Sequence, residues 1–207
     1  MKKVQIESVG QPFTRAPEAA SVARTLLRRA ETMGLVPDRV DGPTRLDADL
    51  LRELAATLRS AGVASALADR LETARGKNLA AALREALAAV DASPHPEGEW
   101  GPAREFLGDD LLAVLVGGIS PSSLRRYAAA ERKTPDEVAW RLHTVARILA
   151  ALLGAYNAYG IRRWFERPRT QLGGKTPGQQ LVEAKSEDDA RDVVRLAEAL
   201  VGPGFAT

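Results

Sequence analysis

Cysteine is absent from the 207-residue sequence, which excludes a disulfide scaffold, a thiolate metal site and a catalytic thiol. Histidine occurs only twice, at His95 and His143, so there is little material for imidazole chemistry. No long hydrophobic run is present. A run such as Ile148 to Gly154 falls far short of the roughly 20 residues a membrane crossing needs, and the opening MKKVQIESVG has no signal-peptide apolar core. These absences predict a cytoplasmic protein with no membrane contact. Neither sign of charge dominates, since 29 Lys and Arg face 27 Asp and Glu for a net charge of +2, and composition alone points to no polyanionic partner.

Aromatic residues are only 5%, while Ala, Leu and Arg are abundant and apolar positions recur at spacings of three and four. Those residues are good helix formers and that spacing is helical, so an all-α chain is predicted. The stretch DASPHPEGEWGP, residues 91–102, holds three Pro and two Gly and reads as a break. The expected layout is an N-terminal helical bundle over 1–92, a linker over 93–102, a helix-turn-helix region over 103–157 and a small helical domain over 158–207. In the first half, Val22, Leu26, Ala30 and Met33 form one helical face. Leu50, Leu54 and Leu58 form a second, Val63, Leu67 and Leu71 a third, and Leu79, Leu83, Leu87 and Val90 a fourth. Gly34, Gly62 and Gly76 are placed to end such helices. Val4 and Ile6 fit either a short strand or a disordered arm. No cluster of polar groups in this half suggests chemistry.

Basic character is local. Residues 1–100 hold 14 basic and 14 acidic side chains, whereas 120–175 hold 11 basic and 4 acidic. That segment begins with an apolar pattern from Phe106 to Val116, a Gly117-Gly118 turn and ISPSSLRRYAAA. Ser120 is a suitable N-cap with Pro121 at N1, so a short helix is predicted with Leu124 inward. Ser122, Ser123, Arg125, Arg126 and part of Tyr127 then face solvent. Hydroxyls and a helix N-terminus suit phosphate, and arginine suits guanine edges, so the pattern is compatible with a helix-turn-helix. It is equally compatible with the solvated face of an ordinary bundle.

Thr134, Pro135 and Glu137 spell a capping box, and Val138, Leu142, Val145, Leu149, Leu152 and Tyr156 trace one apolar seam. Fewer than three heptads are present, which favours a central core helix over a coiled-coil dimer. His143 is expected on or beside that core, with no partner evident. Further on, GGKT superficially suggests a phosphate loop, but a Walker motif needs glycine where Arg169 stands, and Pro177 follows the Thr. Gly173 and Gly174 read better as a tight turn before a helix capped by Thr176, Pro177 and Gln179. A last helix from about Ser186 opens with Glu187, Asp188 and Asp189, which suit the helix dipole, and Phe205 follows on the tail.

Taken in order, SPSSLRRY, RLHTVARIL, GIRRWFERPRTQLGGKTP and a final helix ending near LVG resemble the Xre/MbcA/ParS antitoxins over about residues 105–202. The most specific part is W-x-x-x-P-x-x-x-L-G-G-x-T-P, from Trp164 to Pro177. The resemblance implies a non-enzymatic, homodimeric type II antitoxin that needs no cofactor or metal. Such proteins neutralise a RES-domain toxin that degrades NAD and bind their own promoter DNA. By matching position it implies DNA contacts at Ser120, Ser122, Ser123, Arg125, Arg126 and Lys133. Toxin contacts are implied at Arg162, Arg163, Trp164, Arg167, Arg169, Lys175 and Phe205. Within the same run Trp164, Pro168, Leu172, Gly173, Gly174 and Pro177 would shape the domain. The first 100 residues lie outside the resemblance, and a protein-binding module, a dimerisation region and a sensor all fit them. Competing readings are a DNA-binding regulator without a toxin and a protein-binding adaptor. An enzyme would have to use Asp109 with Asp110, or the Glu187, Asp188, Asp189 group, and both acid sets are better explained as helix-start residues.

Overall fold

Ten helices and one pair of strands make up the described part of the computed structural model, which covers residues 4–37, 40, 42–74 and 76–201. The chain is mostly helical and divides into two compact units, Met1–Pro94 and His95–Thr207. Among the described residues no helix is long and apolar enough to cross a membrane.

The first unit begins with β1 (Val4–Val9), passes through a short 3-10 turn into α1 (Pro17–Thr32), and returns along β2 (Gly42–Leu46). The strands are parallel, with Val4 opposite Gly42 and Val9 opposite Leu46, and an irregularity falls between Ile6 and Ser8. Val4 and Ile6 therefore belong to a strand, and its partner is a segment whose Gly42-Pro43 start concealed it. A parallel pair needs a crossover connection, which α1 supplies. Helices α2 (Ala48–Ser60), α3 (Ser65–Thr73) and α4 (Lys77–Asp91) complete the unit. Asp47 caps α2 by accepting the Leu50 N–H at 3.0 Å. Leu26, Leu50, Leu54, Leu83 and Val90 are fully buried in one core, so the apolar faces read from spacing converge. Arg29 is buried with them, its Nε 2.6 Å from Asp91, and ties α1 to the end of α4. Gly76 precedes α4 instead of ending a helix, because α3 already stops at Thr73.

The second unit is built around α7 (Asp136–Leu152), which is buried on nearly every side from Arg141 onward. Around it lie α5 (Pro96–Leu115), α6 (Pro121–Ala128), α8 (Ala158–Glu166), α9 (Pro177–Glu183) and α10 (Glu187–Glu198). One continuous core contains Trp100, Leu112, Leu124, Leu142, Leu149, Trp164, Leu181 and Val193. The expected division at 157/158 is therefore not a division of cores. A helix as apolar as α7 needs cover from both sides, and the segments before and after it supply that cover together.

Three local expectations change. The linker over 93–102 shrinks to a few residues before Pro96. Pro96 fits the first turn, Glu97 and Glu99 suit the helix dipole, and burial of Glu99, Trp100, Pro102 and Ala103 outweighs the helix-breaking residues. The capping box at Thr134 does not form. Thr134 Oγ1 instead accepts the Trp100 indole N–H at 3.1 Å, and Pro135 occupies the cap position without a side-chain bond. Tyr156 lies beyond the end of α7 and is exposed.

Helix α5 is broken in its middle. Gly108 has φ +71° and ψ 164°, a conformation open essentially to glycine alone. A Cβ there would also meet Arg162 Nη1 and Asp110 Oδ1, each at 2.8 Å. Replacing Gly108 with Ala should therefore cost about 1–3 kcal/mol of stability. Urea titration read by tryptophan fluorescence reports this unit alone, because all three Trp, at 100, 140 and 164, lie within it.

Candidate functional site

The α6 surface follows from its cap. Ser120 Oγ accepts the Ser123 N–H at 3.1 Å and lies 3.0 Å from the Ser123 hydroxyl, so these two expected phosphate-contacting hydroxyls already bond each other. Ser122, Arg125 and Arg126 are exposed, as is Lys133 beyond the helix. Leu124 is fully buried, as expected, and Tyr127 is buried too, stacked on Trp100 with ring centroids 6.1 Å apart. Arg132 covers the Tyr127 ring at 5.7 Å. No ion pair within the described residues engages Arg125, Arg126 or Lys133, which are three exposed cationic groups on and just after α6.

A second basic surface forms where α8 turns into α9. Asn157 caps α8 by accepting the Gly160 N–H at 2.9 Å, and the helix then places Ile161, Trp164 and Phe165 inward. The chain reverses through a 3-10 turn at Thr170–Leu172, with Gly173 and Gly174 both at positive φ. The loop is closed by the Arg169 N–H donating to the Lys175 carbonyl and the Gly174 N–H donating to the Arg169 carbonyl, each at 3.0 Å. Thr176 and Gln179 form the expected capping box at the start of α9. Gly178 sits so close to Phe165 that a Cβ would meet its carbonyl oxygen at 3.1 Å. Pro177 and Leu172 are buried, which fits the shaping role expected for them, whereas Pro168 is exposed.

The residues expected to touch a partner sort unequally on this frame. Trp164 is 2% exposed and meets Phe165 edge-on at 5.2 Å, so it supports the surface from beneath. Arg169 lies over the Trp164 ring at 5.6 Å. Neither the Trp164 indole N–H nor the Arg169 Nε has an acceptor. Arg163 pairs with Glu166 on its own helix at 3.4 Å, and Lys175 with Glu183 at 2.5 Å. Arg167 is exposed, with no ion pair among the described residues. Arg162 reaches across to α5 and binds both oxygens of Asp110, at 3.2 and 2.8 Å. Phe205 lies outside the described residues.

Several charged groups hold the unit together in ways the sequence did not reveal. Arg141, counted in the basic surplus, is buried and donates through both Nη1 and Nη2 to the Ala184 carbonyl, at 3.1 and 2.9 Å, which fixes the end of α9 against α7. His143 does have a partner. Its Nδ1 is 2.5 Å from Glu99 Oε1, and the two side chains are 1% and 0% exposed. Asp109 accepts a two-point contact from Arg104, at 2.7 and 3.0 Å.

Arg104 beside Asp109 holds that carboxyl below its ordinary value, and Arg162 does the same for Asp110. In Asp189 the Lys185 backbone N–H is the main cause of a similar lowering. A carboxyl lowered in the folded state contributes stability above its unfolded value, near 3.8, and that contribution is lost as pH falls through the folded value. The second unit should therefore weaken as pH drops below about 4. Asp109→Asn combined with Asp110→Asn should flatten that dependence in acid titrations read by fluorescence.

Among the described residues no three His, Asp or Glu side chains group to hold a metal. Comparison with protein-family models, with characterised proteins and with solved structures returned no match to this chain.

Proposed function

We propose that this protein is an antitoxin that binds a RES-domain, NAD-degrading toxin and blocks its active cleft with the α8–α9 surface. The observation that carries the reading is the corner at Trp164–Pro177. A buried Trp, two glycines at positive φ and a capping box give a stiff frame that carries the exposed Arg163, Arg167 and Lys175. Pre-ordered cationic groups lose little freedom on binding and pair with acidic groups at the rim of a partner's cleft. Occlusion requires no chemistry from the chain itself, in keeping with a non-enzyme. Co-expression with the product of the adjacent reading frame tests this reading. The two proteins should co-purify and growth should be restored, while an Arg163→Glu, Arg167→Glu, Lys175→Glu variant should do neither. A neighbour that neither binds nor harms the cell would remove the proposal.

A second activity is favoured by α6. Arg125, Arg126 and Lys133 carry charge with no internal ion pair, beside the exposed Ser122, on a short helix reached through the Gly117-Gly118 turn. This helix serves as the reading helix of a helix-turn-helix on promoter DNA, and a homodimer would present two such helices to a palindromic operator. Arg125→Ala with Arg126→Ala should abolish a mobility shift of the promoter fragment without loss of toxin binding. Were DNA binding alone to survive testing, the protein would be a regulator without a toxin. A role of residues 1–94 as an adaptor would show as partner capture by that unit's surface.

A further inference from the structure

The middle of α5 joins three features that neither surface by itself explains. Gly108 divides the helix into a first rod, Pro96–Leu107, and a second, Asp109–Leu115, through a backbone conformation reserved for glycine. The second rod runs directly into the Gly117-Gly118 turn and α6. Both carboxylates that follow the break are held by arginine, Asp109 by Arg104 of the first rod and Asp110 by Arg162 of α8. The Arg162–Asp110 pair lies over the glycine itself, since a Cβ on Gly108 would strike both partners. Arg125 of α6 is near enough to Asp109 to add to the lowering of its carboxyl, after the larger effect of Arg104.

We propose that Gly108 is a hinge and that the Arg162–Asp110 pair is the latch that holds the second rod of α5, and with it α6, against α8. An acidic group on a partner that captures Arg162 opens the latch, and the α8 face thereby controls the order of α6. Arg162 is well suited to this exchange. It is half-exposed, so a partner carboxylate can reach it, and its guanidinium can trade one two-point carboxylate contact for another. Asp110 is largely exposed and loses little when released to water. The partner step rests on the reading of α8 as a toxin-binding surface, whereas the latch does not.

Hydrogen exchange of the full chain without any partner tests the latch, so its outcome is independent of the antitoxin reading. Asp110→Asn should speed amide exchange over Leu111–Ala128 by roughly threefold, the scale of one exposed ion pair, and leave Val138–Leu149 of α7 unchanged. Arg162→Ala should give the same profile, and the double variant should add nothing further. Unchanged exchange over Leu111–Ala128 would overturn the latch. So would equal acceleration in α7, or additive effects in the double variant.

Discussion

Replacing Glu99 with Ala should destabilise the second unit by about 3–5 kcal/mol, the scale for breaking a buried pair. Glu99 and His143 are almost completely enclosed and 2.5 Å apart, with Glu99 on α5 and His143 on α7. Removing the carboxylate strips the Nδ1 of its Glu99 partner in a site that water cannot easily enter, and it opens a void between two central helices. Glu99 Oε1 also faces the His95 N–H at 3.3 Å, at the start of the same helix, so the first turn of α5 should fray as well. Domain stability is typically only about 5–15 kcal/mol, and a loss of this size should leave a visible unfolded fraction at room temperature. Urea titration by tryptophan fluorescence checks it. Replacing Glu99 and His143 together with Leu should recover much of the loss, because two apolar side chains leave no polar group stranded.

Trp164→Ala should cost a similar amount, about 3–5 kcal/mol. The side chain is 2% exposed and packs with Phe165 beneath the loop that carries Arg169. Its indole N–H has no acceptor, so the loss comes from packing volume and not from a hydrogen bond. Trp164→Phe should therefore cost far less, about 1 kcal/mol, since it keeps a ring and discards only the unpaired N–H with part of the bulk. Calorimetry of the two variants separates a supporting role from a contact role. If Trp164 supports the surface, partner affinity should survive in the Phe variant and fall in the Ala variant together with stability. A Phe variant that is stable but cannot bind would instead make the indole a direct contact.

What could be read in advance was local. Caps at Ser120 and Thr176 depend on residues three apart, and both form. The inward Leu124 and the α7 seam from Val138 to Leu152 follow from helical spacing, and burial agrees with both, while Tyr156 at the end of the predicted seam is exposed. What escaped was pairing over distance. Glu99 and His143 are 44 residues apart, and Asp110 and Arg162 are 52 apart. No spacing rule connects such positions before the helices are packed. The same blindness explains Thr134, whose hydroxyl serves Trp100 in preference to its own helix. The α5 start was hidden by Pro and Gly whose local penalties are offset by burial of Glu99 and Trp100. Of the expected toxin contacts, Arg162, Arg163 and Lys175 are each engaged in an ion pair, so a count of basic residues overstates the charge available to a partner.

The central claim is neutralisation by occlusion. Its most direct test is NAD breakdown by the purified product of the adjacent reading frame, titrated with this chain and with an Arg163→Glu, Arg167→Glu, Lys175→Glu variant. The account predicts that hydrolysis falls to background at a fixed molar ratio with the native chain and persists with the variant. Undiminished hydrolysis in excess native chain would contradict it, as would equal inhibition by the charge-reversed one.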